Sequence, residues 1–385
     1  MRIAKFLLPS IVAIASVNMA IAQPNVAASI KPIHSLVSSV MEGIAVPLLL
    51  VEAGSPHTYS LKPSQAKYLQ EADAVFWVAH DVETFLEKPL ESIPKKTVVV
   101  ELGETEGLVE LSFREGGLFD SHGHDDHDDH DKHDDHDKHD DHDKHDDHAK
   151  HDDHDKHDDH DKHDDHDKHD DHDKHDDHDK HDDHDKHAKH DDHDKHDDHA
   201  KHDDHDKHDD HGHGEHDPHF WLDPLNAKVM VREIQTQLSS IDPVNAARYE
   251  SNAKKTEARL DELATEIEAE LAGLQGREFI AFHDAYQYFE NRFGVRAVGT
   301  ITVSPEVMPG AKRLKELRDK VKSSKATCVF SEPQFEPRVV EVITDGTDAR
   351  TGVLDPLGAE LKPGVDLYQN LIRQMAKALK DCLSS

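Results

Sequence analysis

The sequence predicts an α/β protein with two lobes, each a parallel-type sheet flanked by helices, joined by one long rigid helix with a cleft between the lobes. Two stretches of the chain alternate short β-branched runs with helical patterns, one before residue 115 and one after residue 275. Their strand candidates are continuously apolar, which is typical of strands covered on both faces in a parallel sheet. About 30 residues without Gly or Pro lie between the two stretches and favour one long helix.

Residues 23–120 and 217–241 are assigned to the N-terminal lobe. Its strands are predicted at VAASI, VPLLLV, DAVFWVA and KTVVVEL, and its helices at HSLVSSVMEG and KPSQAKYLQEA. Short β-branched and apolar runs bounded by turn residues favour strands. The first helix is expected to end at Gly43, because glycine readily adopts the left-handed conformation that terminates helices.

Residues 242–275 are predicted to form the linking helix. Apolar or small residues recur there at helical spacing, and charged residues lie three and four positions apart. At 1.5 Å per residue, such a helix is long enough to run the height of two small domains.

Residues 276–385 are assigned to the C-terminal lobe, which repeats the alternation of the first. Strands are predicted at EFIAF, RAVGTI, ATCVFSE and ARTGVLD. Helices are predicted at AYQYFENRFG, PGAKRLKELRDKVKSS and PRVVEVITDG, and a last helix from about Asp366. Loops at the carboxyl ends of the strands would converge on the cleft between the lobes, which makes that cleft the expected ligand site.

A repetitive tract of His, Asp and Lys occupies residues 121–216 and interrupts the first lobe. It holds 33 histidines, 42 acidic residues and 14 lysines, and so carries −28 of the net charge of −37. With almost no apolar residue, it cannot offset the entropy of ordering, and we predict a loop that is disordered without metal. Neither the tract nor the rest of the chain has the basic stripe of a nucleic-acid binder, and the acidic surface disfavours anionic membranes.

The first 22 residues are predicted to be a cleaved export signal. Arg2 and Lys5 precede the apolar run Phe6–Val17, and Ala20-Ile21-Ala22 forms a small-residue cleavage site. The alternative is a membrane anchor, but the apolar run is too short to span a bilayer comfortably. We therefore expect an exported protein, monomeric and without a direct membrane anchor.

Cys328 and Cys382 are the two cysteines of the chain. In an exported protein two cysteines favour a disulfide, whereas a metal-thiolate site is disfavoured because no CxxC pattern is present. The closed loop of about 55 residues would contribute about 3–4 kcal/mol of stability in the chain-entropy model.

Three histidines outside the tract follow or precede predicted turns at strand ends: His57, His219 and His283. Asp355 occupies the same kind of position in GVLDPLG. Each histidine alone is more often a structural or surface residue, but the joint pattern favours a shared site in the cleft. Three imidazoles and one carboxylate form a four-coordinate set that suits Zn²⁺.

The neighbouring histidines and acids receive more ordinary interpretations. His34 on the first helix is expected to cap or pack, and His80 is expected to be a solvated loop residue. Asp284 is predicted to orient His283 through the other ring nitrogen, a common role for residues behind a metal ligand.

Five motifs resemble the signatures of a known family, and they occur in that family's order. The motifs are SPHTYSLKPSQ, DPHFWLDP, AFHDAYQYFE, SEPQFEPRVV and LDPLG. They are similar to those of the cluster A-I (ZnuA-like) metal-binding proteins, the zinc-binding components of bacterial ABC importers. The resemblance covers nearly all of residues 27–383 except the tract.

The resemblance implies two α/β lobes joined by a rigid helix, with metal held between them. Carried over position by position, it places the ligands on His57, His219, His283 and Asp355. Manganese-specific relatives have a glutamate at the position of His283, so this chain resembles the zinc members. Those members often carry an acidic His loop between the same motifs, and the two cysteines match the disulfide of Gram-negative members.

The resemblance therefore implies a periplasmic protein, not an enzyme, that captures Zn²⁺ as a transported ligand and delivers it to an inner-membrane ABC permease. The tract would be an auxiliary, low-affinity zinc collector or buffer. Two alternatives remain: a periplasmic zinc store or chaperone, or a manganese or iron carrier of the same fold. A zinc hydrolase is disfavoured because the chain lacks an HExxH motif. Auxiliary ligands are expected among the tract histidines, including His124, His127, His130, His211, His213 and His216.

Overall fold

The computed structural model describes residues 23–114, 116, 118–119, 216–302, 308–323 and 328–384. These residues contain two four-stranded parallel sheets flanked by helices, which confirms the predicted fold class. The predicted signal peptide, residues 1–22, and residues 121–215 of the tract lie outside the described residues.

The first lobe is built on a sheet with the strand order β2-β1-β3-β4. The predicted strands and helices are found close to their expected positions. An additional short helix, α3, has a proline in its interior, which hides it from a helical pattern search. The elements are β1 (Val26–Ala28), α1 (Lys31–Val40), β2 (Leu48–Leu49), α2 (Pro63–Glu71), β3 (Ala74–Trp77), α3 (Glu87–Ser92) and β4 (Val98–Glu101).

Two long antiparallel helices follow the tract, α4 (Pro224–Ile241) and α5 (Ala246–Glu270). Asp223 caps α4 by accepting the N–H of Leu225 at 2.8 Å, and Pro224 supplies the preset φ of a first helical residue. A 3-10 turn occupies Pro243–Asn245, so α5 begins at Ala246 and not at residue 242 as predicted. At 1.5 Å per residue, α5 is about 38 Å long. It packs against α1 of the first lobe and against the last helix of the second lobe.

The second lobe repeats the topology of the first, with the strand order β6-β5-β7-β8. All its neighbouring strands pair in parallel. Gly294 caps the C-terminus of α6 in a left-handed conformation with φ of 72°. The elements are β5 (Glu278–Ala281), α6 (Gln287–Phe293), β6 (Arg296–Thr300), α7 (Ala311–Ser323), β7 (Cys328–Ser331), α8 (Arg338–Thr344), β8 (Arg350–Val353) and α9 (Leu367–Leu383).

One hydrophobic core runs through both lobes. It includes buried side chains from α1, α5 and α9, such as Leu36, Leu260 and Leu371. Smaller clusters cover the outer face of each sheet. Polar contacts add to the shared core: buried Lys31 on α1 donates to the carbonyl of Gly358 in the other lobe at 3.2 Å. The two lobes therefore hold each other in a defined position.

None of the helices in the described part of the chain combines the length and apolar character needed to cross a bilayer.

Cys328 and Cys382 form the predicted disulfide. It connects the start of β7, a central strand of the second sheet, to the end of α9, and both cysteines are buried. The cross-link closes a segment with a sequence separation of 54.

Replacing both cysteines by alanine should lower the free energy of unfolding by about 3–4 kcal/mol, because the cross-link restricts the unfolded chain. Urea unfolding followed by circular dichroism measures the change. The wild-type protein reduced with dithiothreitol is the matched control, since it keeps both side chains and loses only the bond. Equal unfolding midpoints for the oxidised and reduced proteins would contradict the stabilising role.

Candidate metal centre

Three histidines reach the cleft from three separate loops. His57 lies in the 3-10 turn Pro56–Thr58, in the loop that follows β2. His219 immediately precedes the 3-10 turn Phe220–Leu222, which leads into α4. His283 follows β5 at the carboxyl end of the strand. The first lobe thus supplies two imidazoles and the second lobe supplies one.

The three imidazoles converge on one point. One ring nitrogen from each lies within 4.8 Å of the corresponding nitrogens of the other two. The ring centroids of His219 and His283 are 5.3 Å apart, and that of His57 lies 6.3 and 6.5 Å from them. Trp221 and Phe335 line the same small cavity. A cluster of three nitrogen ligands walled by aromatic rings is a suitable site for a transition-metal ion.

Buried carboxylates orient two of the three imidazoles. His219 Nδ1 lies 2.7 Å from Asp217 Oδ1, and His283 Nδ1 lies 2.7 Å from Glu332 Oε1. Both carboxylates are only 2% exposed. A carboxylate that accepts the Nδ1 proton leaves the lone pair on Nε2, which is the tautomer needed to bind a metal in the cleft.

The residue that orients His283 was predicted wrongly. Asp284, the expected partner, instead forms an ion pair with Arg114. Glu332 takes the role because it follows β7, the strand hydrogen-bonded to β5, so the two carboxyl ends lie side by side. The strand-end position of SEPQF was the available signal, since side chains from adjacent parallel strands meet at that edge. Asp217, the carboxylate behind His219, lies only two residues before it in DPHFW, which is a local signal for this contact.

Asp355 is not part of the histidine group. Its Oδ1 accepts the N–H groups of Leu357 at 3.0 Å and Gly358 at 2.9 Å, and its Oδ2 accepts that of Ala359 at 2.6 Å. Gln334 Nε2 donates a further hydrogen bond at 3.1 Å. The carboxylate therefore organises the turn after β8, as aspartate commonly does. Oδ2 accepts only one of these hydrogen bonds and so retains a lone pair for a metal.

The surroundings control the charge of the imidazoles. Burial lowers the pKa of His57 to about 3, with help from the neighbouring His219 and His283, while a hydrogen bond with the backbone of Asp81 opposes the shift. His57 is thus neutral at neutral pH and ready to bind metal without losing a proton. Burial also lowers the pKa of His283, but the charge of Glu332 and its hydrogen bond outweigh burial, so the pKa is raised overall.

Two buried acceptors at the cavity have no hydrogen-bond partner among the described residues. They are Glu332 Oε2 and Gln334 Oε1, and both residues line the cavity beside the histidines. An unpartnered buried oxygen is costly, and a hydrated cation in the cleft would satisfy it. The donor set therefore fits a bound divalent ion.

His34 and His80 are not part of this cluster. His34 is buried on α1, and its Nε2 lies 3.1 Å from the carbonyl of Pro47, in agreement with a packing role. His80 pairs with Glu87 at 3.3 Å on a partly exposed loop.

Of the tract histidines predicted as auxiliary ligands, only His216 belongs to the described residues. It forms an isolated antiparallel β-bridge with Ser112, and its side chain pairs with Glu110 at 3.5 Å. The others lie outside those residues: His124, His127, His130, His211 and His213.

Comparison with known proteins places this arrangement in context. The family model for the zinc-uptake complex component A, periplasmic (ZnuA), matches residues 26–382. The high-affinity zinc uptake system protein ZnuA of Brucella suis biovar 1 is 49% identical over 360 residues, which cover 93% of this chain and 91% of that protein. The protein of the same name from Haemophilus influenzae is 37% identical over 366 residues, or 94% of each chain.

A crystal structure of ZnuA superimposes with a TM-score of 0.61 at 20% identity, covering 94% of this chain and 99% of that one. At that level of identity the likeness shows a shared fold.

Glu332→Gln should weaken zinc binding by about 10–100-fold, because the amide cannot hold His283 in the required tautomer as a carboxylate does. Competition with a fluorescent zinc chelator measures the dissociation constant. Glu336→Gln is the matched control, since this glutamate lies on the same loop but is exposed. An unchanged dissociation constant for Glu332→Gln would show that the orienting carboxylate is dispensable.

Proposed function

This chain belongs to the family of periplasmic component A proteins of zinc-uptake complexes, and we propose that it captures periplasmic Zn²⁺ and delivers it to an inner-membrane ABC permease. The observation that carries the proposal is the convergence of His57, His219 and His283 on one point between the lobes. The relatives named above, which are called zinc uptake proteins, support the choice of ion. The proposed role is transport, with zinc as the cargo.

Capture is the exchange of zinc-bound water for preformed ligands. His219 and His283 are each only 6% exposed and are held by carboxylates, so little side-chain freedom is lost on binding. His57 is less buried, and its low pKa supplies a neutral nitrogen at the opening of the site. The preformed geometry favours tight binding because the ordering cost is met during folding.

The ligand set favours zinc over harder ions. Three imidazole nitrogens suit Zn²⁺, whereas Mn²⁺, Mg²⁺ and Ca²⁺ prefer sites richer in oxygen. We propose Asp355 as the fourth ligand in the bound state, through Oδ2, which accepts only the N–H of Ala359 among the described residues. The manganese or iron carrier is the weaker alternative because it would call for a second carboxylate among the ligands.

Release follows from the division of the ligands between lobes. Two imidazoles belong to the first lobe and one to the second, so a small relative displacement of the lobes would break the set. Docking on the permease is proposed to cause that displacement. A catalytic role is not needed to account for any of the groups described around the cluster.

The His/Asp tract is proposed to be an auxiliary zinc collector. Its sequence offers many histidines and aspartates, but each ion bound there must order a segment that has almost no apolar residues to help. Numerous weak sites are therefore expected, beside one strong site in the cleft. The competing role, a zinc store in which the tract is the principal element, leaves the buried cluster without a purpose.

His283→Ala should abolish the tight site, raising its dissociation constant by more than the roughly 100-fold seen at most for a supporting residue. Isothermal titration with a competing chelator measures it. His80→Ala is the matched control, because His80 lies on a neighbouring loop and pairs with Glu87 instead. If His283→Ala bound zinc as tightly as the control, the site would be assigned wrongly.

Deleting residues 121–215 while keeping His216, which bridges Ser112, should preserve the tight site and reduce the total zinc bound. Equilibrium dialysis with metal analysis gives the stoichiometry, and chelator competition gives the affinity of the remaining site. Growth of a deletion strain under zinc limitation, complemented with this shortened protein, distinguishes an importer from a store. Loss of the tight site on deletion would make the tract the principal element.

A further inference from the structure

A strap of chain, residues 109–114, passes from the first lobe to the second just before the His/Asp tract begins. On the side of the first lobe, Val109 N–H donates to Asn226 Oδ1 of α4 at 2.8 Å. On the side of the second lobe, Leu111 N–H donates to the hydroxyl of Tyr288 at 3.0 Å. The strap is therefore fastened to both lobes.

Arg114 ends the strap and makes its strongest contacts. Its guanidinium forms an ion pair with Asp284, and its Nη1 donates to Glu290 Oε2 at 2.8 Å. Nη2 donates to Glu290 Oε1 at 3.0 Å, and the guanidinium carbon lies 4.1 Å from the centroid of the Phe119 ring. All three nitrogen atoms of the guanidinium contact carboxylates. These side chains are mostly buried, so the pairs are shielded from water.

Those contacts fasten the turn that carries His283. The turn connects β5, which ends at Ala281, to α6, which begins at Gln287. Arg114 binds Asp284 within the turn and Glu290 on the helix that follows. Glu290 in turn accepts the N–H of Ala297 on β6 at 2.9 Å. Arg114 thus connects the turn, its helix and the adjacent strand at a distance from the imidazoles themselves.

The strap also touches the carboxylate behind a second ligand. Asp217 N–H donates to the carbonyl of Leu111 at 2.8 Å, and Asp217 Oδ1 holds His219. The hydroxyl of Tyr288 accepts the N–H of Leu111 and donates a hydrogen bond to the carbonyl of Asp217 at 2.8 Å. The strap is consequently in contact with groups that position ligands from both lobes.

We propose that Arg114 is a positioning residue for the zinc site, which it serves by fastening the turn that carries His283. This inference rests on the proposed function, because it concerns how long zinc stays bound at that site. Arg114 and Asp284 are not among the proposed ligands and do not line the cavity, so their loss leaves the ligand set complete and loosens its geometry. The effect is expected mainly in the rate of zinc release.

Arg114→Gln is the first test, and it should release zinc about tenfold faster than the wild type, the lower end of the effect for groups that support ligands. Stopped-flow mixing of the zinc-loaded protein with excess chelator measures the rate. Arg373→Gln is the matched control, because Arg373 forms a similar bidentate pair with Glu266, at the exposed contact between α9 and α5.

Arg114→Gln also leaves two buried carboxylates without their cation, which destabilises the fold by a separate route. The triple variant Arg114→Gln, Asp284→Asn, Glu290→Gln removes the ion pairs without leaving those charges unpaired. It should release zinc as fast as Arg114→Gln. The melting temperature of the zinc-free protein separates a general loss of stability from a change at the site.

If both Arg114→Gln and the triple variant released zinc at the wild-type rate, the inference would be overturned, even if their melting temperatures fell. The inference would also be overturned if Arg114→Gln released zinc fast but the triple variant released it at the wild-type rate. The unpaired carboxylates of Arg114→Gln would then be the cause of the fast release. A failure of the proposed function is distinguishable, since the wild-type protein would itself lack a tight, slowly released zinc ion.

Discussion

The position of one lobe relative to the other is the constraint on which the metal centre depends. Two imidazoles belong to the first lobe and one to the second, so the cluster exists only while the lobes keep their relative position. A hydrophobic core shared by α1, α5 and α9 maintains that relative position. Lys31, buried at the start of α1, adds polar contacts across the same boundary. Because close-packed interiors resist deformation, the cleft keeps its shape before an ion arrives.

The second feature of the centre is negative charge placed behind the ligands. Asp217 and Glu332 are nearly inaccessible to solvent, and each is in contact with an imidazole. A buried carboxylate is costly unless it is paired, and a bound dication strengthens the pairing by polarising the imidazole between them. The groups that select the tautomer therefore also attract the ion. Arg114 forms ion pairs with two further carboxylates nearby, those of Asp284 and Glu290.

The sequence patterns were most informative where one local rule controls the outcome. Apolar β-branched runs located the strands, and the histidines at their ends indicated the cleft. The patterns were less informative where local signals conflict or are weak: α3 contains Pro89, and α4 lies in a segment assigned only to the end of the first lobe. Asp284, the expected partner of His283, is adjacent to it in the chain but pairs with Arg114. Glu332 takes that role because the pairing of β5 with β7 brings it closer.

By itself, the sequence determined the fold class, the cysteine pair and the candidate ligand residues, because periodicity, strand-end position and residue chemistry are local properties. Only the tertiary structure decided which acids stand behind the histidines and that Asp355 is engaged in its own turn. It also decided that Arg114 fastens the turn next to His283, across 170 positions of chain. The contacts of Glu332 and Arg114 depend on strand order and lobe packing, which bring residues distant in the chain together, whereas those of Asp217 and Asp355 are local.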